Sequence, residues 1–322
     1  MLIAAIRHHR LVCKQVAILW KYRHYKVIYP PPSLGDILFY ACMLPKYRQL
    51  HPKQKIAVLF SDKNRVGREL FQMFGDVADA IDILPTMRLR CILPSVDKYR
   101  QISMHFKNLL NPEDNYAKLL DNRLENIPGT ADVKLRIGEE VLNLFKGHFK
   151  QGRTVLICPG ATTCCADTMH GFWLMLAEKL REKGFEPVFN ESDKSKFAGF
   201  RTSFLSITET AQFCEMGGSC IAVRSGIVDV LAYFTSSKLV VLYPEDWNVW
   251  RDFLRSQWAN RTVADPFGEF MSAWSVRRIY RQKGVAELRW NDSFAAEQVV
   301  DSLQELFEDR HTCNDGGASP LQ

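Results

Sequence analysis

The stretch from Gly218 to Phe234 (GSCIAVRSGIVDVLAYF), closed by Lys238–Pro244 (KLVVLYP), leaves few folds open. Ser219–Val223 is a short β-prone run, and Arg224-Ser225-Gly226 is a tight turn. Ile227, Val230, Leu231 and Phe234 then share one face of a helix. Leu239–Leu242 is an unbroken apolar run of the kind a parallel sheet buries on both faces. Strand, turn, helix and strand in this order form a βαβ unit, which requires a parallel sheet. A helix that opens straight after a strand and a glycine turn presents free N–H groups and a positive dipole end, a site suited to a phosphate or carboxylate.

The same rhythm runs through the rest of the chain. Lys26–Tyr29 is a strand, followed by three prolines, then Ser33-Leu34-Gly35-Asp36 and a helix over Ile37–Leu50. Lys55–Phe60 is a buried strand, Val66–Phe74 an amphipathic helix and Asp82–Leu84 a brief strand. Helices are expected over 99–110, from the turn at Asn111–Asp114 through Leu124, and over 139–149. A break near Lys150–Arg153 precedes a fresh start: strand Thr154–Cys158, loop Pro159–Thr163, helix Phe172–Lys183 and return strand Gly184–Phe189. Ser206–Cys214 suits a helix capped by hydroxyls from Thr208 on, and Ala295–Glu308 is clearly amphipathic. Two doubly wound α/β domains facing a cleft account for this pattern. The expected division is an extension over 1–24, a first domain over 25–150, a second over 151–308 and a flexible tail over 309–322. Loops 30–36, 159–170, 224–226 and 244–247 would line the cleft.

The chain has 322 residues, 47% of them apolar and 24% charged, with a formal charge of +6. That excess is too small to imply a nucleic-acid partner, but it suits anionic substrates or an anionic membrane surface. No apolar run reaches the length of a membrane span, and Arg7-His8-His9-Arg10 interrupts any signal-peptide core. The nine cysteines are scattered, without a C-x-x-C pair, as expected of reduced thiols in a cytoplasmic protein rather than a zinc site. Residues 1–24 combine Leu2, Ile6, Val12, Val16, Leu19 and Trp20, roughly on one side, with Arg7, His8, Arg10, Lys14, Lys21 and Arg23. Such a helix either packs on the first domain or lies at an anionic membrane.

Several residues carry two readings. Asp36 sits where a helix begins, so it is either a capping carboxylate favoured by the dipole or a general base at the mouth of the sheet. Asp229 is a helix-turn carboxylate or a catalyst. Glu245 and Asp246 are solvated loop acids or ligands of sugar hydroxyls. His170 is a surface residue or a neighbour of donor phosphates.

Ser33-Leu-Gly-Asp-Ile-Leu38, His51-Pro52, Cys158-Pro-Gly-Ala-Thr-Thr163, Arg224-Ser-Gly226 and Leu242-Tyr-Pro-Glu-Asp246 together resemble the motifs of glycosyltransferase family 9, the heptosyltransferase-like enzymes of bacterial surface polysaccharide assembly. The similarity covers residues 25–60 and 153–247. There are departures: Ile227-Val228-Asp229 stands where the family has Pro-x-His, and Asp167 occupies the place of a basic residue.

The resemblance implies a GT-B fold and an inverting, metal-independent glycosyltransferase that needs no cofactor. Its donor would be a nucleotide-sugar. Its acceptor would be a lipid-linked or polysaccharide hydroxyl of lipopolysaccharide, O-antigen or capsule assembly. Asp36 matches the family's base. Gly35, Gly160, Thr162, Thr163, Arg224, Ser225, Gly226 and Glu245 form the implied donor-binding set, with Arg224 either replacing the missing cation at the diphosphate or held in a salt bridge to Asp229 or Glu245. The implied location is cytoplasmic, peripheral on the inner face of the membrane. A non-catalytic glycan-binding scaffold of the same fold and a nucleotide-sugar epimerase are the alternatives.

Overall fold

The computed structural model describes residues 2–28, 30, 34–61, 65–75, 77–84, 141, 150–160, 169–245, 265–273, 275–280, 282–290 and 295–312. The helices expected over 99–110, after the turn at 111–114 through Leu124, and over 139–149 lie outside these residues, save Val141, as do Ser33, Thr162, Thr163, Asp167 and Asp246. The chain divides into two compact units, Met1–Val133 and Lys134–Gln322.

The first unit carries a parallel sheet in the order β1-β2-β3, from Lys26–Ile28, Ile56–Ser61 and Ala80–Leu84. Its helices are α1 (Leu2–Lys21), α2 (Leu34–Leu50) and α3 (Arg65–Met73). β2 is buried along Ile56–Phe60, as its apolar run requires. α2 begins at Leu34, so Gly35 and Asp36 lie in its first turn.

The apolar residues of α1 do not share one side. Ile18, Leu19 and Tyr22, just past its end, pack against Val27, Ala57 and Leu59 of the sheet, while Val16 and Trp20 face solvent. Asp82 of β3 fixes the end of α1: Tyr22 Oη donates to it at 2.9 Å and Lys21 Nζ at 3.1 Å. Burial raises the Asp82 pKa, but the amide of Ile83 and these two donors outweigh it, and the net shift is downward from 3.8. A carboxylate with a depressed folded pKa contributes stability above its unfolded pKa, and loses it as pH falls through the folded value. The last turns of α1 should therefore loosen below about pH 4. Hydrogen exchange at residues 18–22, corrected for intrinsic rates, checks this. Asp82→Asn should remove the pH dependence, and an unchanged profile would assign the loosening to other carboxylates.

The second unit carries a six-stranded parallel sheet in the order β6-β5-β4-β7-β8-β9. The strands are β4 (Thr154–Cys158), β5 (Glu186–Asn190), β6 (Arg201–Ser203), β7 (Ser219–Val223), β8 (Lys238–Pro244) and β9 (Val285–Trp290). Counted within the unit, this is the 3-2-1-4-5-6 order of dinucleotide-binding folds. The helices are α4 (His170–Glu182), α5 (Ile207–Glu215), α6 (Gly226–Phe234), α7 (Pro266–Ala273), α8 (Val276–Tyr280) and α9 (Ala296–Thr312). Strand residues 155, 157, 221, 223, 240 and 242 form one core with α4 and α9 through Trp173, Leu176, Leu180, Val299 and Leu303. The alternate strand residues face the other way, as period-two side chains must. α5 and α6 pack together and α6 packs on α8.

Four details differ from expectation. The turn expected to separate the domains belongs to the second unit: Gly152 N donates to Gly217 O at 3.1 Å and Lys150 N to Thr154 Oγ1 at 3.0 Å. The cap of α5 is Ser206 rather than Thr208, in a reciprocal box with Glu209. α9 continues to Thr312, past the expected start of the tail. The edge strands β6 and β9 were not foreseen. β6 has three residues, too few for a periodic signal, and β9 places Glu287 and Arg289 within an apolar pattern.

Candidate functional site

In open α/β sheets, ligands bind outside the carboxyl ends of strands where the order reverses. That point lies between β4 and β7, which pair from Val155↔Ser219 to Cys158↔Ala222. Beyond the last pair, β4 runs into Pro159-Gly160 and β7 into Arg224-Ser225 and the start of α6. Two of the loops picked out in the sequence thus flank one switch point. Residues 161–168, the remainder of the first loop, fall outside the description.

Gly160 is exposed, and a Cβ added there would meet nothing within 4 Å. Glycine is therefore not demanded by packing among the described residues. Ser225 is the N-cap residue of α6, with extended backbone at φ −155° and ψ 171°, but its side chain makes no capping bond. Its Oγ is buried without a hydrogen-bond partner. Buried hydroxyls are normally bonded. Val228 N donates to Ser225 O at 3.0 Å, and the Ser225 hydroxyl adds one more donor at a helix start, the end that favours an anion.

Of the two readings of Arg224, the structure shows the salt bridge to Asp229. Rather than supplying the cation for a diphosphate, it is 4% exposed, and its guanidinium grips Asp229 in a fork, Nη1 to Oδ2 at 2.7 Å and Nη2 to Oδ1 at 2.8 Å. Nη1 also donates to Ser225 O at 3.0 Å. Burial opposes the charge, but Asp229 outweighs it and holds the Arg224 pKa above its usual value. The Asp229 carboxylate, 3% exposed, is thus a structural partner.

A second polar group lies deep in the same unit. Tyr243 Oη donates to Glu287 Oε1 at 2.6 Å, and burial pushes the tyrosine pKa well up. Glu287 also accepts from Val276 N at 2.7 Å and Ser275 Oγ at 2.5 Å. These bonds tie β8, β9 and the start of α8 together. No sequence signal marks the Tyr243–Glu287 pair, since its members stand 44 residues apart.

The remaining expected site residues scatter. Glu245 pairs with Arg289, which also reaches Asp265 at 3.1 Å and lies over the Phe267 ring. His170 is exposed and stacks on Phe197 with centroids 5.2 Å apart. Gly226 is the first residue of α6, and Gly35 and Asp36 lie in the other unit. One residue missed in the sequence reading is Asn190 at the end of β5. Its Oδ1 accepts from Leu205 N at 2.8 Å, and its amide donates to Thr210 Oγ1 at 3.4 Å and Cys158 Sγ at 3.8 Å. Asn190 thereby braces the carboxyl ends of β4 and β5. A polar residue ending the apolar run Pro187-Val188-Phe189 was its only signal.

The class defined by this arrangement is a parallel α/β fold with a switch point between β4 and β7. The sequence matches no protein-family model and no curated protein. Among solved structures, the chain is similar to the ADP-heptose lipopolysaccharide heptosyltransferase II of E. coli, at 12% identity and a TM-score of 0.53, over 88% of this chain and 99% of that one. It is also similar to a glycosyl transferase family 9 protein of Veillonella parvula, at 12% identity and a TM-score of 0.50, over 88% and 97%. The chain thus has the GT-B-type α/β fold of these proteins.

Proposed function

We propose that this chain is a glycosyltransferase that moves a sugar from a nucleotide-sugar donor to a hydroxyl of a lipid-linked or polysaccharide acceptor in bacterial surface-glycan assembly. The observation that carries the reading is the switch point between β4 and β7. Exposed Gly160 follows β4 on one flank, and Ser225, the N-cap residue of α6, whose hydroxyl is unbonded among the described residues, follows β7 on the other. In this reading the amides of that helix start, with Gly226 first, and the Ser225 hydroxyl bind the donor diphosphate. As it leaves, the same groups stabilise its growing charge. Arg224 stays outside the phosphate set because Asp229 holds it. The motif similarity adds Thr162 and Thr163 to the donor side and Asp36 as the base that takes the acceptor proton. Transfer is inverting, with no metal assigned a role. Likeness to an ADP-heptose lipopolysaccharide heptosyltransferase favours a sugar nucleotide over a dinucleotide.

Thermal unfolding with ADP, UDP, GDP and CMP, each alone and as sugar conjugates, tests the reading. At about 100-fold excess over Kd a ligand stabilises the folded state by about 2.7 kcal/mol. For a unit of this size, that raises the midpoint by roughly 5–10 °C. Ser225→Ala should leave the midpoint of the free protein almost unchanged, because the hydroxyl has no partner to lose. It should weaken the diphosphate nucleotide roughly tenfold, the worth of a hydrogen bond to a charged group, with little effect on the free nucleoside. Absence of any shift across the panel would favour the glycan-binding scaffold instead.

A further inference from the structure

Helix α1 takes no part in the reading above, and its outer side carries exposed apolar residues beside cations. We propose that this side of α1 docks on an anionic phospholipid bilayer, with the helix lying in the plane of the headgroups. One side is anchored to the protein, since Ile18, Leu19 and Tyr22 pack on the sheet and Gln15 is 3% exposed. The other carries Val16 at 54% and Trp20 at 67% exposure, one helical turn apart. Cys13 and Ala17, also exposed, continue that stripe.

The charge points the same way. Residues 1–35 hold six Lys/Arg and no Asp or Glu, which equals the entire +6 excess of the chain. The other residues carry equal numbers of the two signs. Lys14, Lys21 and Arg23 are exposed. The Arg23 guanidinium lies 4.7 Å over the Trp20 ring and donates to Trp20 O at 3.0 Å. An exposed tryptophan rimmed by cations sits well at a headgroup boundary, its ring in the acyl edge and the charges among phosphates. Among the described residues no helix is long and apolar enough to cross a membrane, so α1 lies on the bilayer rather than through it. A second copy is the weaker occupant, because it would set this acid-free segment against an identical one.

The proposal is independent of glycosyl transfer: vesicle binding can fail with nucleotide binding intact, and the reverse. Co-sedimentation of the full chain with phosphatidylcholine vesicles, with and without about one-third phosphatidylglycerol, tests it. Binding is expected on the anionic vesicles at about 0.1 M salt, falling as salt rises, with little on neutral ones. Trp20→Ser should reduce partitioning about tenfold by removing apolar area, and Lys14→Gln about fivefold by removing one cation. Both side chains are exposed, so each variant should keep the parent unfolding midpoint. Equal binding to neutral vesicles, no binding to anionic ones or an unchanged Trp20→Ser variant would overturn the proposal. So would a dimer in gel filtration that Trp20→Ser dissociates, which would identify a second copy as the occupant.

Discussion

Asp229→Ala should be the most damaging single change in the second unit, lowering its stability by about 3–5 kcal/mol. Both members of the Arg224–Asp229 pair are about 5% exposed, and both forks of the guanidinium are engaged. Removing the carboxylate leaves a cation in the core that cannot shed its proton. Urea unfolding followed by circular dichroism should show the midpoint falling by roughly 2 M. The double variant Arg224→Met with Asp229→Leu should recover most of the loss, because it leaves no uncompensated charge. The experiment also bears on function. If Asp229→Ala costs less than about 1 kcal/mol, the guanidinium is free to turn outward. The diphosphate-binding role expected from the sequence would then return.

The Arg224 result separates what was legible in the chain from what was not. Continuous apolar runs at Val155–Ile157 and Leu239–Leu242 announced a sheet buried on both faces, and both strands are buried along their length. The turn at Ser225-Gly226 announced the start of α6 for the same local reason. Such signals are short in sequence, and the physics behind them is local. Strand order is not local: the sequence put Pro159-Gly160 and Arg224-Ser225 at one cleft by resemblance and rhythm, and the pairing of β4 with β7 supplies the switch point itself. The role of Arg224 was equally hidden. The sequence offered a cation next to a phosphate-type turn, with Asp229 five positions on as one of two candidate partners. Whether the side chain turned outward to a ligand or inward to a carboxylate depended on tertiary burial. Glu245 pairs with Arg289, 44 residues away, a partner no local pattern marks. α1 shows the opposite limit: its apolar residues were all visible, but among the described side chains Ile18 and Leu19, with Tyr22 just past its end, pack on the sheet while Trp20 stays outside.

Asp36→Asn should abolish transfer while leaving the donor bound. The acceptor hydroxyl must lose its proton as the new bond forms, and a positioned carboxylate contributes about 10²–10⁴-fold to such a step. Asparagine keeps the shape and loses the basicity. Asp36 lies in the first turn of α2, the helix that follows β1. A carboxylate there also interacts with the helix dipole, at about 0.3–1 kcal/mol for an exposed group. The two contributions separate cleanly. A purely capping Asp36 would give a slightly less stable protein that turns over at nearly the parent rate. A base would give near-parent stability, unchanged nucleotide binding in the second unit, and turnover reduced by about a hundredfold or more. Product formation by mass spectrometry with the donor identified from the nucleotide panel, read beside the unfolding midpoint, distinguishes them. Turnover within a few-fold of the parent would remove Asp36 from the mechanism. It would leave the donor site on the second unit standing, because the Ser225 hydroxyl and the start of α6 belong to a unit that does not contain Asp36.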